Sequence, residues 1–378
     1  MRVVADENIP YVREAFAEFG EVVTLPGRKV SKDDLAGADI LLVRSITKVN
    51  AALLEGTPVK FVATATIGVD HIDEAWLAAS GIGFSSAPGC NANSVAEYIT
   101  AALYVLAEQH DLELSRLSLG IVGVGNVGKR VAAKARALGM RVVLNDPPLA
   151  EATCEPAYRP IEEIHACDVV TFHTPLEKSG PFPTHHLCDE AFLSAMRPGS
   201  ILFNTARGPV VDNAALLRAL ERGHLRAAVL DVWEGEPNTN PALLAKVDIA
   251  SPHIAGYSFD GKVRGTEQIY EAACRHFGLT PSWDPAPLLP APECPRIEIT
   301  PPYTDAVADC VHAVYDILAD DARMRKTLEL PEAERAAYFD RLRKEYPRRR
   351  EFHNTVVSLA ASNDDVAQVL SGIGFRVE

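Results

Sequence analysis

Three polar residues stand just past apolar runs in the second half of the chain, and their types suit the removal of hydride from an alcohol. Arg207 lies in Asn204-Thr205-Ala206-Arg207-Gly208, after the apolar run Ile201–Phe203. Glu236 lies in Asp231-Val232-Trp233-Glu234-Gly235-Glu236-Pro237, after Val229-Leu230. His253 lies in Ser251-Pro252-His253-Ile254-Ala255-Gly256-Tyr257, after Asp248–Ala250. An alcohol becomes a carbonyl only if its proton leaves as hydride departs, and a neutral imidazole accepts that proton near pH 7. A carboxylate on the other ring nitrogen fixes the tautomer and stabilises the imidazolium. An arginine grips a substrate carboxylate in two-pronged geometry and polarises the reacting oxygen. His253 is therefore the expected base, Glu236 its partner and Arg207 the clamp. Each alone is most simply a solvated loop residue; the set carries the reading.

Upstream is a place for the hydride acceptor. Gly123-Val124-Gly125-Asn126-Val127-Gly128 follows the strand-like Gly120–Gly123 and precedes a helical stretch, Lys129 to Leu138. The first glycine of such a GxGxxG permits a tight turn, the second lets a pyrophosphate approach the backbone, and the third packs helix on strand. The motif alone is weak. Asp146 strengthens it: it closes the next strand, 18 residues after Gly128, where a carboxylate accepts ribose hydroxyls and repels a 2′-phosphate. NAD is the expected cofactor, and no metal is expected.

The elements that must position these groups alternate along the chain. Strands are expected at Arg2–Ala5, Val22–Thr24, Ile40–Val43 and Phe61–Thr64, with helices at Val12–Phe19, Val49–Leu54 and Ile72–Ala79 between them. Ser94-Val95-Ala96-Glu97 has the form of a capping box that starts a long apolar helix. Further strands are expected at Arg141–Leu144, Asp168–Phe172, Ser200–Phe203 and Ala227–Leu230. Strand–helix alternation implies parallel sheets covered on both faces, with ligands at the carboxyl ends of the strands. The fold class is thus α/β, with two doubly wound parallel-sheet lobes and a smaller α+β terminal domain. The expected division is 1–93 with 257–280 for a substrate lobe and 94–256 for a dinucleotide lobe. Residues 281–302 contain eight prolines and read as a linker. Residues 303–378 carry amphipathic helices without a chemical motif and read as an assembly domain.

Bulk properties narrow the class. The net charge of −14 disfavours a nucleic-acid or anionic-membrane surface, and 47% hydrophobic with 23% charged residues is an ordinary globular balance. No uninterrupted apolar run is long enough to span a bilayer, and Met1-Arg2-Val3-Val4-Ala5-Asp6-Glu7 lacks a signal-peptide core. Seven scattered cysteines without a CxxC pair read as free thiols in a reducing, cytoplasmic setting.

Leu119–Gly128, the Asn204–Gly208 loop, the Asp231–Pro237 loop and Pro252–Gly256, in that order, resemble the D-isomer-specific 2-hydroxyacid dehydrogenases. The similarity spans roughly residues 1–280. It implies a bilobal enzyme, with Arg207, Glu236 and His253 in the catalytic roles. It also implies that Asn126, Val127, Asp146, Thr174, Ala206, Asp231 and Gly256 touch NAD, beside Gly123, Gly125, Gly128, Thr205 and Arg207.

A narrower resemblance, to members acting on a phosphorylated 2-hydroxy acid, rests on Arg44-Ser45-Ile46-Thr47, Ala63–His71, Tyr257 and the terminal module. It implies that Ser45, Thr66 and Tyr257 touch the substrate and that the terminal module makes a homodimer. Arg44 adds a charge beside Ser45 that suits a phosphate. The Arg348-Arg349-Arg350 run is the densest positive charge, and one of its arginines is a candidate to reach a substrate phosphate across a dimer. His185-His186 reads as a surface pair and Asp168 as a strand-start residue. Two other readings stay open: a phosphoglycerate-dehydrogenase-like enzyme, and a non-catalytic NAD-sensing interaction protein.

Overall fold

The structure, a computed structural model, describes every residue except Pro156. It divides into two compact units, Met1–Asn91 with Ser258–Ala291, and Ala92–Tyr257 with Pro292–Glu378.

The first unit is built on five short parallel strands: β1 (Arg2–Asp6), β2 (Glu21–Leu25), β3 (Ile40–Val43), β4 (Phe61–Thr64) and β5 (Gly83–Ser85), in the order β2-β1-β3-β4-β5. β3 and β4 are buried throughout, as central parallel strands must be when both sheet faces are covered. Their register pairs Val43 with Thr64. Ser45 and Thr66 each lie two residues past that pair, so the loops carrying them emerge side by side. The expected helix Val12–Phe19 is instead a turn of α-helix, Val12–Ala15, and a 3-10 turn, Ala17–Phe19, following Tyr11 at φ 56.

The second unit contains six parallel strands: β6 (Ser118–Val122), β7 (Arg141–Asn145), β8 (Val169–Phe172), β9 (Ile201–Asn204), β10 (Ala227–Leu230) and β11 (Ile249–Ala250). Their order is β11-β10-β9-β8-β6-β7, so the winding reverses between β6 and β8. Ligands sit outside the carboxyl ends of strands at such a reversal, and Gly123 and His173-Thr174 lie there.

Residues 292–378 share the core of this unit. Ile299, Val311, Tyr315, Phe352, Val357 and Phe375 are buried in one cluster with Tyr98, Ile99 and Leu119. The proline-rich stretch expected as a linker holds a strand, β12 (Arg296–Ile299), which pairs with β13 (Val356–Leu359); β14 (Arg376–Val377) completes a parallel three-stranded sheet. Pro295 stands immediately before β12, where its missing N–H breaks no ladder.

Two local readings are corrected here. Ser94 and Glu97 do not form a capping box, because the helix runs Ala92–His110 and both residues lie inside it, fully buried. Ser94 Oγ donates to the Ala255 carbonyl at 2.8 Å, and Glu97 accepts from Asn93 Nδ2 and the Phe352 N–H, both at 2.9 Å. Arg349 does not extend outward. It is 7% exposed, donates to Ser94 Oγ at 2.5 Å, lies 3.4 Å from Glu97 and packs 4.1 Å from the Tyr315 ring centroid. Arg350 is equally buried and donates to Asn354 Oδ1 at 2.7 Å. Arg349 ties the terminal segment to the helix Ala92–His110, whereas the Arg350 bond stays within the segment.

Candidate active site

The dinucleotide fingerprint uses its glycines in three different ways. A Cβ on Gly123, which has φ +90, would lie 2.8 Å from the His173 carbonyl carbon, and one on Gly128 would lie 2.1 Å from the Gly123 carbonyl oxygen. A Cβ on Gly125 would meet nothing within 4 Å. The first and third glycines therefore close the turn and seat the helix Asn126–Ala137, while the second faces open space beside that helix's N-terminus. This is the cradle a pyrophosphate needs. Thr174 adds a second sign of fit, because its Oγ1 is buried and has no partner among the described residues.

Asp146 stands at the end of β7 as expected. One carboxylate oxygen accepts the Val124 N–H at 2.7 Å and the other caps the next helix through the Leu149 N–H at 3.0 Å. The same side chain that is placed to meet a ribose thus fixes the glycine turn. Thr205 faces His173, whose Nδ1 is 3.4 Å from the threonine hydroxyl while Nε2 is 3.1 Å from Thr171 Oγ1. Burial pushes the His173 pKa down to about 3, so this ring stays neutral and acts as a fixed polar wall. No sequence motif marked His173.

The catalytic candidates lie on loops tied to one another. Asn204 holds the first, donating to the Arg207 carbonyl at 2.9 Å and accepting the Ala206 N–H at 3.1 Å. Gly208 then lets this loop touch the next, because a Cβ there would lie 2.0 Å from the Trp233 carbonyl oxygen. Trp233 is buried and donates from its indole to the Ser251 carbonyl at 3.0 Å, which joins the second loop to the third.

Asp231 organises that third loop. Its backbone carbonyl accepts the His253 N–H at 2.7 Å. Its carboxylate accepts from Ser251 Oγ at 2.6 Å, the Ile254 N–H at 2.7 Å and the Ala255 N–H at 3.1 Å. Burial raises the Asp231 carboxyl above the ordinary range, against the opposing pull of His253 and these bonds. The clamp holds His253 at φ 59, in the left-handed region that few non-glycine residues occupy. Gly256 lies in the following turn, closed by the Tyr257 N–H on the Ile254 carbonyl at 2.8 Å.

His253 meets Glu236 as expected: Nδ1 is 2.6 Å from Glu236 Oε1, and Glu236 Oε2 accepts the Trp233 N–H at 3.2 Å. Burial alone would push the Glu236 carboxyl up. The His253 charge, the bond from His253 and the Trp233 N–H outweigh it, and the net shift is downward. Glu236 therefore stays ionised, and Nδ1 is the nitrogen that carries a proton toward it. That leaves Nε2, on a side chain 32% exposed, to take a proton from outside.

Other expectations fare differently. His186 is not a plain surface residue: Nε2 is 2.6 Å from Glu234 Oε1, and Glu234 in turn accepts the Asn213 N–H at 2.8 Å. In the first unit, Thr66 Oγ1 is 2.7 Å from Thr64 Oγ1, which is 3.0 Å from His71 Nε2, so side chains tie the Ala63–His71 stretch together. Ser45 is exposed and Arg44 half-buried at the end of β3. Tyr257 packs edge-on against Tyr346 at 5.9 Å.

Comparison with known proteins bears on this arrangement. Residues 98–255 match the family described as D-isomer specific 2-hydroxyacid dehydrogenase, NAD binding domain, and residues 288–374 match a domain of unknown function. Over all 378 residues the chain is 48% identical to erythronate-4-phosphate dehydrogenase of Escherichia coli O157:H7 and covers 98% of it. The same identity and coverage hold for the Shigella flexneri erythronate-4-phosphate dehydrogenase. Among solved structures, a Thermus thermophilus protein matches with TM-score 0.64 at 30% identity, covering 74% of this chain and 98% of its own. The D-lactate dehydrogenase of Aquifex aeolicus, complexed with NAD and lactic acid, matches with TM-score 0.61 at 28% identity over 74% of this chain and 96% of its own.

Proposed function

We propose that this chain, which belongs to the D-isomer specific 2-hydroxyacid dehydrogenase family, oxidises 4-phospho-D-erythronate at C2 to 2-oxo-3-hydroxy-4-phosphobutanoate with NAD as acceptor. The protein is an NAD-dependent dehydrogenase acting on a CH–OH group. Full-length identity to erythronate-4-phosphate dehydrogenases supports the substrate, and with it a step in vitamin B6 synthesis. The observation that carries the chemistry is the 2.6 Å contact between Glu236 and His253 Nδ1.

Bound NAD supplies the carbon that accepts the hydride. The protein supplies the rest. His253 Nε2 takes the C2 hydroxyl proton, and Glu236 stabilises the resulting imidazolium from the far side of the ring. Arg207 holds the substrate carboxylate and polarises the oxygen that becomes the carbonyl. Asp231 keeps the imidazole in register through the backbone of its own loop. Gly123, Gly125, Asn126, Val127, Gly128, Asp146, Thr174, Thr205, Ala206, Arg207, Asp231 and Gly256 are the proposed cofactor contacts; Arg44, Ser45, Thr66 and Tyr257 are the proposed substrate contacts. The Asp231 oxygens already accept from Ser251 and two backbone N–H groups.

We place the enzyme in the cytoplasm as a homodimer. All seven cysteines are free, and among the described residues no helix is long and apolar enough to cross a membrane. Leu318, 43% exposed on the helix Ile317–Arg325, offers apolar surface in the terminal segment for a second copy.

A substrate panel tests the proposal. Purified protein with NAD should reduce the nicotinamide rapidly on 4-phospho-D-erythronate and much more slowly on 3-phosphoglycerate. The reverse order would assign the chain to phosphoglycerate oxidation, and nicotinamide binding without reduction by either would leave a sensing protein.

A further inference from the structure

The proposed reaction has a substrate with two anionic ends. Arg207 accounts for the carboxylate, and the terminal segment supplies a cation for the other end. Arg343 lies in the last turn of the helix Glu332–Lys344. Its guanidinium carbon stands 5.8 Å from the Tyr257 ring centroid. Tyr257 follows the His253 loop directly, and its own ring is braced by Tyr346, whose hydroxyl donates to Asp320 at 2.9 Å.

Arg343 differs from Arg323, Arg325 and Arg349 in having no carboxylate at ion-pairing distance among the described residues. Arg349 is paired with Glu97, Arg325 with Asp321 and Arg323 with Asp320. Arg343 Nε, like Arg349 Nε, is buried without a hydrogen-bond partner among the described residues, and the rest of the Arg343 guanidinium meets the Tyr257 hydroxyl. A buried donor left unmade is costly, so such a group is retained where a ligand completes it. The groups around it that favour its charge are Tyr257, Glu236 and Asp340. Glu236 acts on it through charge and not through a hydrogen bond, its two oxygens being turned to His253 and the Trp233 N–H.

We propose that Arg343 binds the terminal phosphate of the substrate, with the Tyr257 hydroxyl as its companion donor, so that the terminal segment sets specificity for a phosphorylated acid. This rests on the proposed function for the identity of the substrate. A guanidinium suits the task because its planar fork meets phosphate oxygens in pairs while its charge is permanent. The role also explains a physical need for the terminal segment to share a core with the dinucleotide unit: a specificity residue must be held rigidly relative to the base.

The test compares the NAD-loaded wild type with Arg343→Gln and Arg343→Lys in two measurements. The first is titration with inorganic phosphate, which needs no turnover. Arg343→Gln should weaken phosphate binding by about ten- to a hundred-fold, the scale of one or two charge-assisted bonds, and Arg343→Lys should recover part of the loss. The second is kcat/KM on 4-phospho-D-erythronate and on unphosphorylated erythronate. The loss on the phosphorylated acid should exceed the loss on erythronate by about tenfold or more and should reside in KM. Unchanged phosphate affinity in both variants, or no phosphate binding by the wild type, overturns the assignment. So do equal losses on both substrates with a displaced pH profile, which would make Arg343 a positioning group for Glu236. If the wild type fails to oxidise 4-phospho-D-erythronate, the proposed function falls, and the phosphate titration still decides Arg343.

Discussion

Gly208 and Trp233 meet so closely that a Cβ on the glycine would overlap the tryptophan carbonyl, at 2.0 Å. This contact joins the loop of Arg207 to the loop of Glu236. The indole of the same Trp233 donates to Ser251, two residues before His253. Three groups far apart in the chain are thereby set against one another by backbone, not by flexible side chains. Such preorganisation is what makes an acid–base set effective, since the groups need not be ordered at the moment of reaction.

The fingerprint glycines should separate folding from cofactor binding. Gly128→Ala places a methyl group against backbone that cannot yield, and should destabilise the protein by several kcal/mol. Gly125→Ala meets nothing within 4 Å. It should melt within about 2 °C of the wild type yet bind NAD at least about tenfold more weakly. Thermal melts and NAD titrations on both variants check this, and normal NAD affinity in Gly125→Ala would show that the pyrophosphate lies elsewhere.

Asp146 has two separable roles. Its cap on the Leu149 N–H is kept by asparagine, whereas its charge is not. Asp146→Asn keeps that cap but sets an NH2 group against the Val124 N–H, so it should lose some stability and lower the NAD-over-NADP preference by about tenfold or more. Asp146→Ala should do the same and lose about 1 kcal/mol more of stability. Parallel kinetics with the two cofactors measure the ratio; an unchanged ratio would contradict the ribose contact.

Stability should depend on pH through Glu97. Burial, then the nearby Glu351 carboxylate, raise its pKa from 4.5 to about 8, against the opposing charges of Lys134 and Arg349. The folded protein thus holds this proton more tightly than the unfolded chain. The stabilisation is complete at pH values below about 4.5 and is lost as pH rises toward about 8. Glu97→Gln removes that dependence. Melting temperatures between pH 5 and 8 should fall more steeply in the wild type than in Glu97→Gln, and parallel curves would contradict the shift.

Much of this was legible from local sequence. Parallel strands buried on both faces announce themselves as short apolar runs, and a strand end followed by Arg, Glu or His gives both position and chemistry. Long-range partners were not legible. Ser94 and Glu97 have capping-box spacing, yet their partners are Ala255, Phe352 and Arg349, from distant parts of the chain. The Arg348–Arg350 run reads as free to reach a phosphate because nothing in it shows that Glu97 and Ser94 await Arg349. β12 was hidden by the prolines before and after it. Arg343 belongs to no motif, and only its placement beside Tyr257 marks it.

The most direct test is a single turnover with His253→Ala. NAD-loaded wild type mixed with excess 4-phospho-D-erythronate should give one equivalent of reduced nicotinamide in a fast absorbance phase. His253→Ala should bind NAD as the wild type does and give the same phase about two to four orders of magnitude more slowly. A phase of wild-type speed, or NAD affinity that collapses together with the rate, would contradict the assignment of His253 as the base.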